Sequence, residues 1–401
     1  FPIFKTKMSG PRFALEDPVE RHKYFEYKAG PEIEKLKDYL RIGTFVAILL
    51  GKKNSGKGTY TKLFMEAIGG DRVIHISIGD VVRNAHRELE DANRRPELVD
   101  FLNKRYRGFL TVDEVINVIL GRDTKTLLPT EAILALVERE IGRAGHKAVF
   151  VDGFPRSLDQ VSYSLYLRSI MGYRDDPDFL VFIDVPDAVI DERMKYRVVC
   201  PKCQTPRNLK LLRTKRVGCD KNANKFYLMC DNTNCDGAVM VPKEGDELGI
   251  EAIRDRVETD DKVMRTLLNL KGVPKVLLRN SVPKSSARET VDDYEITPAY
   301  RYERVPDGVK VIEELWTVKD ENGVEVHSLL PTAVAVAAVA SALLPTPVAS
   351  AAVALESAPI ATARAALALA PPNGKPPSAI ASSAVAMPAA MAIDASPLAI
   401  A

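Results

Sequence analysis

The sequence has no excess of charge of either sign, and its cysteines are few and clustered. Among 401 residues, 56 are Lys or Arg and 54 are Asp or Glu, so the formal net charge is only +2. This balance gives no field that would favour nucleic acid or an anionic membrane as a partner. The five cysteines all lie between positions 200 and 235. That clustering excludes a disulfide framework spread through the fold and indicates one local site in a reducing compartment.

A long uninterrupted hydrophobic run is also missing. The span 329–355 carries no charge and is long enough to cross a bilayer. However, Pro345 and Pro347 interrupt it, and Ala and Ser dilute its hydrophobicity, so we expect no membrane span. Ala makes up 27 of the 72 residues from 330 to 401, and we assign this Ala- and Pro-rich, low-complexity tail no fold.

The N-terminal part of the chain is polar and rich in proline. We interpret residues 1–43 as an extension that wraps on another surface rather than as a domain. Its prolines are Pro2, Pro11, Pro18 and Pro31. Residue 1 is Phe rather than Met, which is compatible with a cleaved organellar presequence. We therefore expect a mitochondrial location, with the cytoplasm as the alternative.

A glycine-rich segment follows the first apolar run of the chain. Residues 44–50 have the pattern of a buried strand, and 51–59 read Gly-Lys-Lys-Asn-Ser-Gly-Lys-Gly-Thr. In a phosphate loop, successive backbone N–H groups and the N-terminus of the next helix bind phosphate oxygens, and Lys57 would add a point charge. A Lys-rich surface turn is the alternative. The amphipathic pattern of 61–68 favours the loop, because it supplies the helix that the motif requires.

Apolar runs and helical patterns alternate from residue 44 to about 281. This alternation predicts a parallel sheet covered by helices on both faces, with ligands at the carboxyl ends of the strands. The predicted strands are 44–50, 73–77, 147–151, 179–185 and 275–279. After residue 290 the pattern changes to two β-hairpins. These are predicted at 300–305 with 309–312 around Asp307-Gly308, and at 316–319 with 324–327 around Asn322-Gly323.

Two further motifs follow later strands. Residues 75–83 read His-Ile-Ser-Ile-Gly-Asp-Val-Val-Arg, and 151–160 read Val-Asp-Gly-Phe-Pro-Arg-Ser-Leu-Asp-Gln. With the loop at 51–59, they resemble adenylate kinase and its nucleoside monophosphate kinase relatives, whose signatures are G-x-x-G-x-G-K-G-T, S-T-G-D-x-x-R and D-G-F-P-R-x-x-x-Q. The resemblance covers roughly residues 44–280, and D-G-F-P-R is its most specific part.

The resemblance implies a three-layer α/β P-loop fold with a parallel sheet, a helical acceptor-binding insert at about 80–146 and a zinc-ribbon lid at about 198–246. The kinase-like core would then span 44–281, and a hairpin-rich extension would follow at 282–329. The implied reaction is in-line phosphoryl transfer from ATP to a nucleoside monophosphate, with AMP the expected acceptor, to give two diphosphates.

The resemblance also implies the roles of individual residues. Lys57 would hold the β- and γ-phosphates of the donor, Arg83 and Arg156 the acceptor phosphate, and Gln160 the acceptor base. Asp80 and Asp152 would anchor Mg²⁺ through its waters. The remaining nucleotide-binding positions are those of the loop and of the third motif: Gly51, Asn54, Ser55, Gly56, Gly58, Thr59 and Gly153.

Two pairs of arginines flank the predicted lid. Arg193 and Arg197 lie four apart on a predicted helix, which would place both guanidinium groups on one face. They resemble the pair at the entry to the lid, and Arg254 and Arg256 match arginines on the helix that leaves it. All four are expected to act on the phosphates.

The lid region carries two cysteine pairs, Cys200 with Cys203 and Cys230 with Cys235, separated by 26 residues. Four thiolates suit a closed tetrahedral Zn²⁺ site, and the spacing is close to that of zinc ribbons. Such a site would give a small lid the folding energy that its few apolar residues cannot supply. Cys219 is left over, and we interpret it as an unligated thiol.

The sequence departs from the family pattern at the loop and at the acceptor. Lys53-Asn54 stands where the usual loop has Pro-Gly. Ile78 stands where the usual motif has Thr, so the sequence does not predict which base the acceptor nucleotide carries. A second interpretation is a kinase-like structural subunit of a large organellar assembly, such as a mitochondrial ribosome or a respiratory complex, docked through its extensions. A third, a nucleic-acid-binding zinc ribbon, is disfavoured because 200–235 has little interleaving of basic and aromatic residues beyond 210–216.

Overall fold

The computed structural model describes residues 5, 10–121, 128–158, 160–161, 177–220, 225–243, 245–271, 273–330, 334–343 and 364–366. Within this part of the chain, no helix combines the length and the apolar character needed to cross a bilayer. Most of the low-complexity tail predicted at 330–401 lies outside the described residues. The boundaries predicted for the extensions, the insert and the lid stay predictions.

Strands and helices are numbered in chain order. The strands are β1 Val46–Leu50, β2 Val73–Ser77, β3 Ala148–Asp152, β4 Asp178–Asp184, β5 Arg197–Val199, β6 Pro206–Asn208, β7 Arg216–Asp220, β8 Lys225–Met229, β9 Val241–Pro242, β10 Lys275–Arg279, β11 Ser281–Pro283, β12 Ala299–Val305, β13 Gly308–Glu314, β14 Val318–Lys319, β15 Glu325–Ser328 and β16 Arg364–Ala366. The α-helices are α1 Pro18–Tyr39, α2 Lys57–Ile68, α3 Ile78–Glu90, α4 Arg95–Arg105, α5 Val112–Ile119, α6 Thr130–Arg143, α7 Asp187–Lys195, α8 Arg254–Leu268, α9 Ala287–Thr290 and α10 Val334–Leu343. Short 3₁₀ segments lie at Thr233–Cys235, Asp246–Ile253 and Asp293–Glu295.

The central sheet has the strand order β16-β10-β4-β1-β3-β2, and its edge strand β16 pairs antiparallel with β10. Among the other five strands, all neighbours pair in parallel. These are the five strands predicted from the sequence, so the prediction of a parallel sheet is confirmed. Every residue of β1 is buried, as expected for a strand covered on both faces. The carboxyl ends of the five strands therefore meet at one edge, where the candidate site lies.

Helices cover both faces of the sheet. Ala47 and Leu49 of β1 pack into one apolar cluster with α1, α2, α7 and α10, while Val46, Ile48 and Leu50 pack into another with α3 to α6 and α8. This alternation follows from the period of two along a strand. The predicted three-layer α/β fold is confirmed, and the helices α3 to α6 occupy the range predicted for the acceptor-binding insert.

Part of the predicted N-terminal extension is a helix that belongs to the core. Asp17 caps α1 by accepting hydrogen bonds from two backbone N–H groups, and Pro18 occupies the first helical position, where its missing N–H costs nothing. The helix bends at Ala29, just before Pro31, and still buries an apolar stripe. Two of the prolines, Pro18 and Pro31, thus lie within the helix, and the interpretation of residues 1–43 as an extension stays a prediction. The buried apolar side chains are Tyr24, Phe25, Ala29, Ile33 and Leu36.

A buried ion cluster joins α1 to the segment after α9. The Nζ atom of Lys28 lies 2.6 Å from Oδ2 of Asp292 and 3.2 Å from Oε1 of Glu295, and all three side chains are almost fully buried. The hydroxyl of Tyr24 donates to Oε1 of Glu295 at 2.6 Å. Burial raises the pKa of Glu295, although Lys28 opposes the shift. The N- and C-terminal extensions of the kinase-like core are thus tied to each other.

Replacing Lys28 with Met should destabilise the protein by about 3–5 kcal/mol, because it leaves buried carboxylates without their cation. The folded state would then favour a protonated Glu295 even more than it does now, so the loss should grow as the pH rises from about 5 to about 8. Urea unfolding at several pH values measures both effects. Lys23→Met is the control, because the Lys23–Glu20 pair is exposed. Equal losses in the two variants would contradict the prediction.

The two hairpins predicted after residue 290 are confirmed. Strands β12 and β13 pair antiparallel from Ala299 opposite Glu314 to Val305 opposite Gly308. Strands β14 and β15 pair around the second turn, and β15 also pairs with β11. Within the Ala-rich tail, helix α10 is buried against α1, so this stretch does have a fold, as alanine's high helix propensity allows.

Candidate functional site

The loop between β1 and α2 runs so close to the sheet that a side chain would not fit at its first position. A Cβ atom on Gly51 would lie 2.6 Å from Oγ of Ser55 and 2.9 Å from the carbonyl oxygen of Ile183. Asn54 has φ +67° and Gly56 has φ +96°, the left-handed region in which Gly and Asn are favoured. Asn54 therefore fills the turn position where the family pattern has Gly. The backbone takes the closed course that a phosphate loop requires.

Lys57 opens α2 and lies folded over the loop. Its Nζ atom donates to the carbonyl oxygens of Gly51 at 2.7 Å and Lys52 at 3.1 Å. It lies 3.9 Å from Oδ1 of Asp152, at the end of β3. Burial lowers the pKa of Lys57, and the nearby guanidinium groups of Arg256 and Arg156 lower it further. An anion bound in the loop would stabilise the charged form of Lys57 and so oppose the lowering of its pKa.

Arginines converge on the same edge of the sheet. Burial lowers the pKa of Arg156, and the positive charges of Arg256 and Arg83 contribute to the shift. With Lys57, these residues form what we call the cation cluster: Lys57, Arg83, Arg156 and Arg256. Mutual repulsion within such a cluster is what a bound polyphosphate would offset. Arg156 acts on the pKa of Lys57, and Arg83 acts on that of Arg156, while the roles predicted for these residues on the phosphates stay predictions.

The motif at 151–160 fixes Arg156 through its own loop. The Nε atom of Arg156 donates to the carbonyl oxygen of Gly153 at 2.6 Å. Gly153 has φ +92°, and a Cβ atom there would lie 2.7 Å from Nη2 of Arg156. Gln160 accepts from the backbone N–H of Arg156 at 2.7 Å and donates to Oγ1 of Thr130 at 3.3 Å. Gln160 thus connects this loop to the start of α6, within the acceptor insert.

The two aspartates proposed to anchor Mg²⁺ differ in their surroundings. Asp152 is largely buried beside Lys57, and its Oδ1 atom has no hydrogen-bond partner among the described residues. Asp80 is exposed and forms an ion pair with Arg83, three residues along α3. The sequence pattern did not predict a role for His75 at this site. Its Nε2 atom lies 3.9 Å from Oδ2 of Asp152, and burial lowers its pKa.

Arg193 and Arg197 do not share a helix face. Helix α7 ends at Lys195, and Arg197 begins β5, where two β-branched valines follow it. The sequence prediction of one continuous helix is therefore wrong, yet both side chains contact the loop. Arg193 donates to the carbonyl oxygen of Ser55 at 3.3 Å, and Arg197 donates to Oδ1 of Asn54 at 2.9 Å.

The remaining partners of these two arginines come from distant parts of the chain. Arg193 also donates to Oδ1 of Asn280, and its Nη2 atom lies 3.4 Å from Oγ of Ser328. Arg197 forms a two-point ion pair with Asp246, at 2.5 and 2.7 Å. Arg197 directly precedes the predicted lid and Asp246 is its last residue, so this ion pair joins the two ends of the lid beside the loop.

Only one of the two arginines on α8 joins the cation cluster. Arg254 is exposed and pairs with Glu251, its Nε atom donating at 2.8 Å. The Nε atom of Arg256 lies 2.9 Å from Oδ1 of the buried Asp260, and its charge acts on both Lys57 and Arg156. Residues two apart on a helix point in different directions, so the pair cannot share one site. The role predicted for Arg254 on the phosphates therefore has no support in its position.

Lys52 is a further loop residue that the sequence did not single out. It is buried, and its Nζ atom lies 2.6 Å from Oδ1 of Asp187, 3.5 Å from Asp261 and 3.6 Å from Glu321. Burial alone would lower the pKa of Lys52, but the three carboxylates raise it. Glu321 lies in the turn of the second hairpin, so the C-terminal extension contacts the phosphate loop directly.

The four cysteines predicted as metal ligands lie together. Their Sγ atoms are all within 4.8 Å of one another, and those of Cys203 and Cys230 are 3.7 Å apart. A tetrahedron with Zn–S bonds of about 2.3 Å has S···S edges of about 3.8 Å, so the arrangement fits the ion. Cys219 lies on β7, outside this group. Strands β5, β7 and β8 contribute apolar side chains to the cluster that contains the four cysteines.

The thiols of this cluster differ in acidity. Hydrogen bonding with Thr205 lowers the pKa of Cys203 to about 6. Burial raises the pKa of Cys235 to about 12. The small core around them is made largely of the cysteines themselves with Val198, Leu228 and Met240. The lid therefore has little apolar packing of its own, as expected where a metal ion replaces a hydrophobic core.

Comparison with known proteins agrees with this geometry. No protein-family model matches the chain. The adenylate kinase of Hydrogenobaculum is 28% identical over 188 residues, which cover 47% of this chain and 76% of that protein. The adenylate kinase of Kosmotoga olearia is 29% identical over 189 residues, or 47% of this chain and 70% of that protein.

A third relative has a slightly higher sequence identity over its matched part. The adenylate kinase of Staphylococcus epidermidis is 30% identical over 183 residues, which cover 45% of this chain and 72% of that protein. About half of this chain thus corresponds to most of an adenylate kinase. The chain belongs to the adenylate kinase family.

Proposed function

We propose that the protein transfers a phosphoryl group from ATP to a nucleoside monophosphate, with AMP the expected acceptor, and so forms two diphosphates. The observation that carries the proposal is the position of Lys57, folded over a glycine loop and beside Asp152 at the carboxyl edge of the sheet, with Arg156 held on the loop that follows Asp152. Phosphoryl transfer spreads negative charge over the equatorial oxygens and needs placed cations more than covalent chemistry.

Buried polar atoms without partners support a nucleotide at this loop. Among the described residues, eight buried side-chain nitrogen or oxygen atoms have no hydrogen-bond partner. Five of them belong to the loop or to residues near it: Asn54 Nδ2, Ser55 Oγ, His75 Nε2, Asp152 Oδ1 and Arg256 Nε. Native proteins leave few buried polar groups unpaired, and such groups cluster where a ligand supplies the partner. Because these five atoms lie in the loop or near it, the same ligand could satisfy several of them.

The residues take distinct roles in this proposal. Lys57 releases the loop carbonyls and binds the donor's β- and γ-phosphates. Arg156 and Arg83 bind the acceptor phosphate, and Gln160 positions the acceptor base near α6. Arg256 and Arg197 reach the transferred group from α8 and from the base of the lid. Closure of lid and insert over these groups would exclude water and so suppress hydrolysis of ATP.

Mg²⁺ fits beside Asp152. The carboxylate is largely buried, lies at the end of β3 and has an oxygen without a partner among the described residues. Held there, the ion would neutralise part of the negative charge of the phosphates. Asp80 is already paired with Arg83, so we assign the position of the ion to Asp152 first.

Zn²⁺ is the proposed metal of the lid. Cys200, Cys203, Cys230 and Cys235 would hold it in a closed tetrahedral site with no open position, which makes its role structural. The separation of the sulfur atoms supports this assignment. The ion would supply folding free energy to strands that bury few apolar side chains.

A coupled assay with ATP, Mg²⁺ and each of AMP, CMP, UMP and GMP tests the proposed reaction. We expect turnover with AMP, and the ratio of kcat/KM among the four acceptors gives the base preference that Ile78 leaves open. Silence with all four, in protein shown to hold its metal, would contradict the proposal. It would favour the interpretation as a structural subunit, which the relatives do not support.

A further inference from the structure

A buried carboxylate connects the phosphate loop to the cation cluster. Asp260 lies on α8 with only 7% of its surface exposed. Its Oδ2 atom accepts the backbone N–H of Lys53 at 2.9 Å, and its Oδ1 atom lies 2.9 Å from Nε of Arg256. One side chain thus holds two parts of the site that are about 200 residues apart in sequence.

The geometry of the loop explains why Lys53 needs this acceptor. The N–H of Ser55 donates to the carbonyl oxygen of Lys52 at 3.0 Å, which closes a four-residue turn with Lys53 and Asn54 at its centre. Asn54 has positive φ, the pattern of a type II turn, whose first central position favours proline. Proline carries no N–H, whereas Lys53 presents one that must find a partner. Asp260 provides it.

The second oxygen of Asp260 forms an ion pair with Arg256, at 2.9 Å from Nε, although the geometry is not that of a hydrogen bond. Without an anion beside it, this guanidinium group would face Lys57 and Arg156, whose charges it repels. The carboxylate offsets part of that repulsion. The same side chain therefore contacts both the loop and Arg256.

We propose that Asp260 is a positioning residue for the phosphate loop: it takes the place of a turn proline by binding the N–H of Lys53, and it aims Arg256 at the same site. Asp260 does not touch the nucleotide in this proposal. The part that concerns Arg256 and turnover rests on the proposed function, while the part that concerns the loop does not.

Four proteins test the proposal: the wild type, Asp260→Ala, Lys53→Pro and the double variant. Amide hydrogen exchange of the loop is measured without nucleotide. We expect Asp260→Ala to increase exchange in 51–57 about tenfold and to weaken ATP binding about tenfold, since an acceptor of a buried donor is lost. In the Lys53→Pro background there is no N–H to satisfy, so removing Asp260 should change ATP affinity by no more than about twofold.

Two further variants separate positioning from a general loss of structure. Asp260→Asn keeps the volume and one carbonyl oxygen for the N–H of Lys53, but it presents an amide to Arg256. It should keep ATP affinity within about threefold and lower kcat about tenfold or more. Glu258→Ala removes an exposed carboxylate from the same helix and should match the wild type in every measurement.

The proposal is overturned if Asp260→Ala weakens ATP binding as much in the Lys53→Pro background as in the wild type, or if the Lys53 amide of the wild type exchanges freely. These outcomes differ from failure of the proposed reaction. A protein that shows the expected exchange and ATP affinities but transfers no phosphoryl group would support the role of Asp260 at the loop and contradict the kinase activity alone.

Discussion

Replacing Lys57 with Met should lower kcat/KM for phosphoryl transfer by about 10²- to 10³-fold, the usual effect of removing one preorganised group that stabilises transition-state charge. Lys57 is the cation nearest the loop carbonyls and Asp152. The fold should survive, because burial and neighbouring arginines already lower the pKa of Lys57. A methionine of similar length removes that electrostatic cost. The coupled assay gives the rate, and thermal unfolding gives the stability.

Lys62→Met is the matched control for this prediction. Lys62 lies on the same helix and is exposed, so its removal should leave the rate unchanged. Turnover by Lys57→Met at the wild-type rate would remove Lys57 from the mechanism. A large fall in melting temperature would instead mean that Lys57 serves the fold, and its effect on the rate could not then be assigned to chemistry.

The central sheet and the phosphate loop could be predicted because their signals are local. Each strand is a short apolar run, and the loop follows one run and precedes an amphipathic helix within about twenty residues. The second hairpin was equally visible, since Asn322-Gly323 between short alternating segments is a local turn signal. Such features depend on neighbours in sequence, which a pattern can show.

The partners of the loop could not be predicted, because they come from distant segments. Lys52 binds Glu321, Lys53 binds Asp260 and Asn54 binds Arg197, and no periodicity connects these positions. The end of α7 was missed for another reason. Arg193 and Arg197 fit the spacing of a helix, but the valines after Arg197 favour a strand, and strand pairing with β6 decides the outcome.

The lid is coupled to the C-terminal extension as well as to the loop. The hydroxyl of Tyr302 donates to the carbonyl oxygen of Leu209 at 2.5 Å, and the N–H of Tyr300 donates to that of Lys210 at 2.7 Å. The rings of Phe226 and Tyr302 lie 5.6 Å apart. Any motion of the lid must therefore carry the first hairpin with it or break these contacts. The stability of the lid's own fold then matters for the geometry of the whole site.

Replacing Cys230 with Ser should abolish zinc binding and unfold the lid while the sheet stays folded. Structural zinc sites contribute about 10–16 kcal/mol of apparent binding free energy, far more than the few apolar contacts of this region can replace. We expect about one zinc per chain in the wild type by elemental analysis, as one closed four-cysteine site requires. In the variant we expect loss of the metal and rapid proteolysis between residues 200 and 240.

Cys219→Ser makes the same chemical change outside the cluster, so it should keep both the metal and the resistance to protease. Treatment of the wild type with a chelator should reproduce the Cys230→Ser pattern, and added zinc should reverse it only where all four ligands remain. If Cys230→Ser kept its metal, or if both variants lost it equally, the four sulfur atoms would not be the ligands. The lid would then need another source of stability, and the first hairpin, which packs on it through Tyr300 and Tyr302, would be the part of the described chain to supply it.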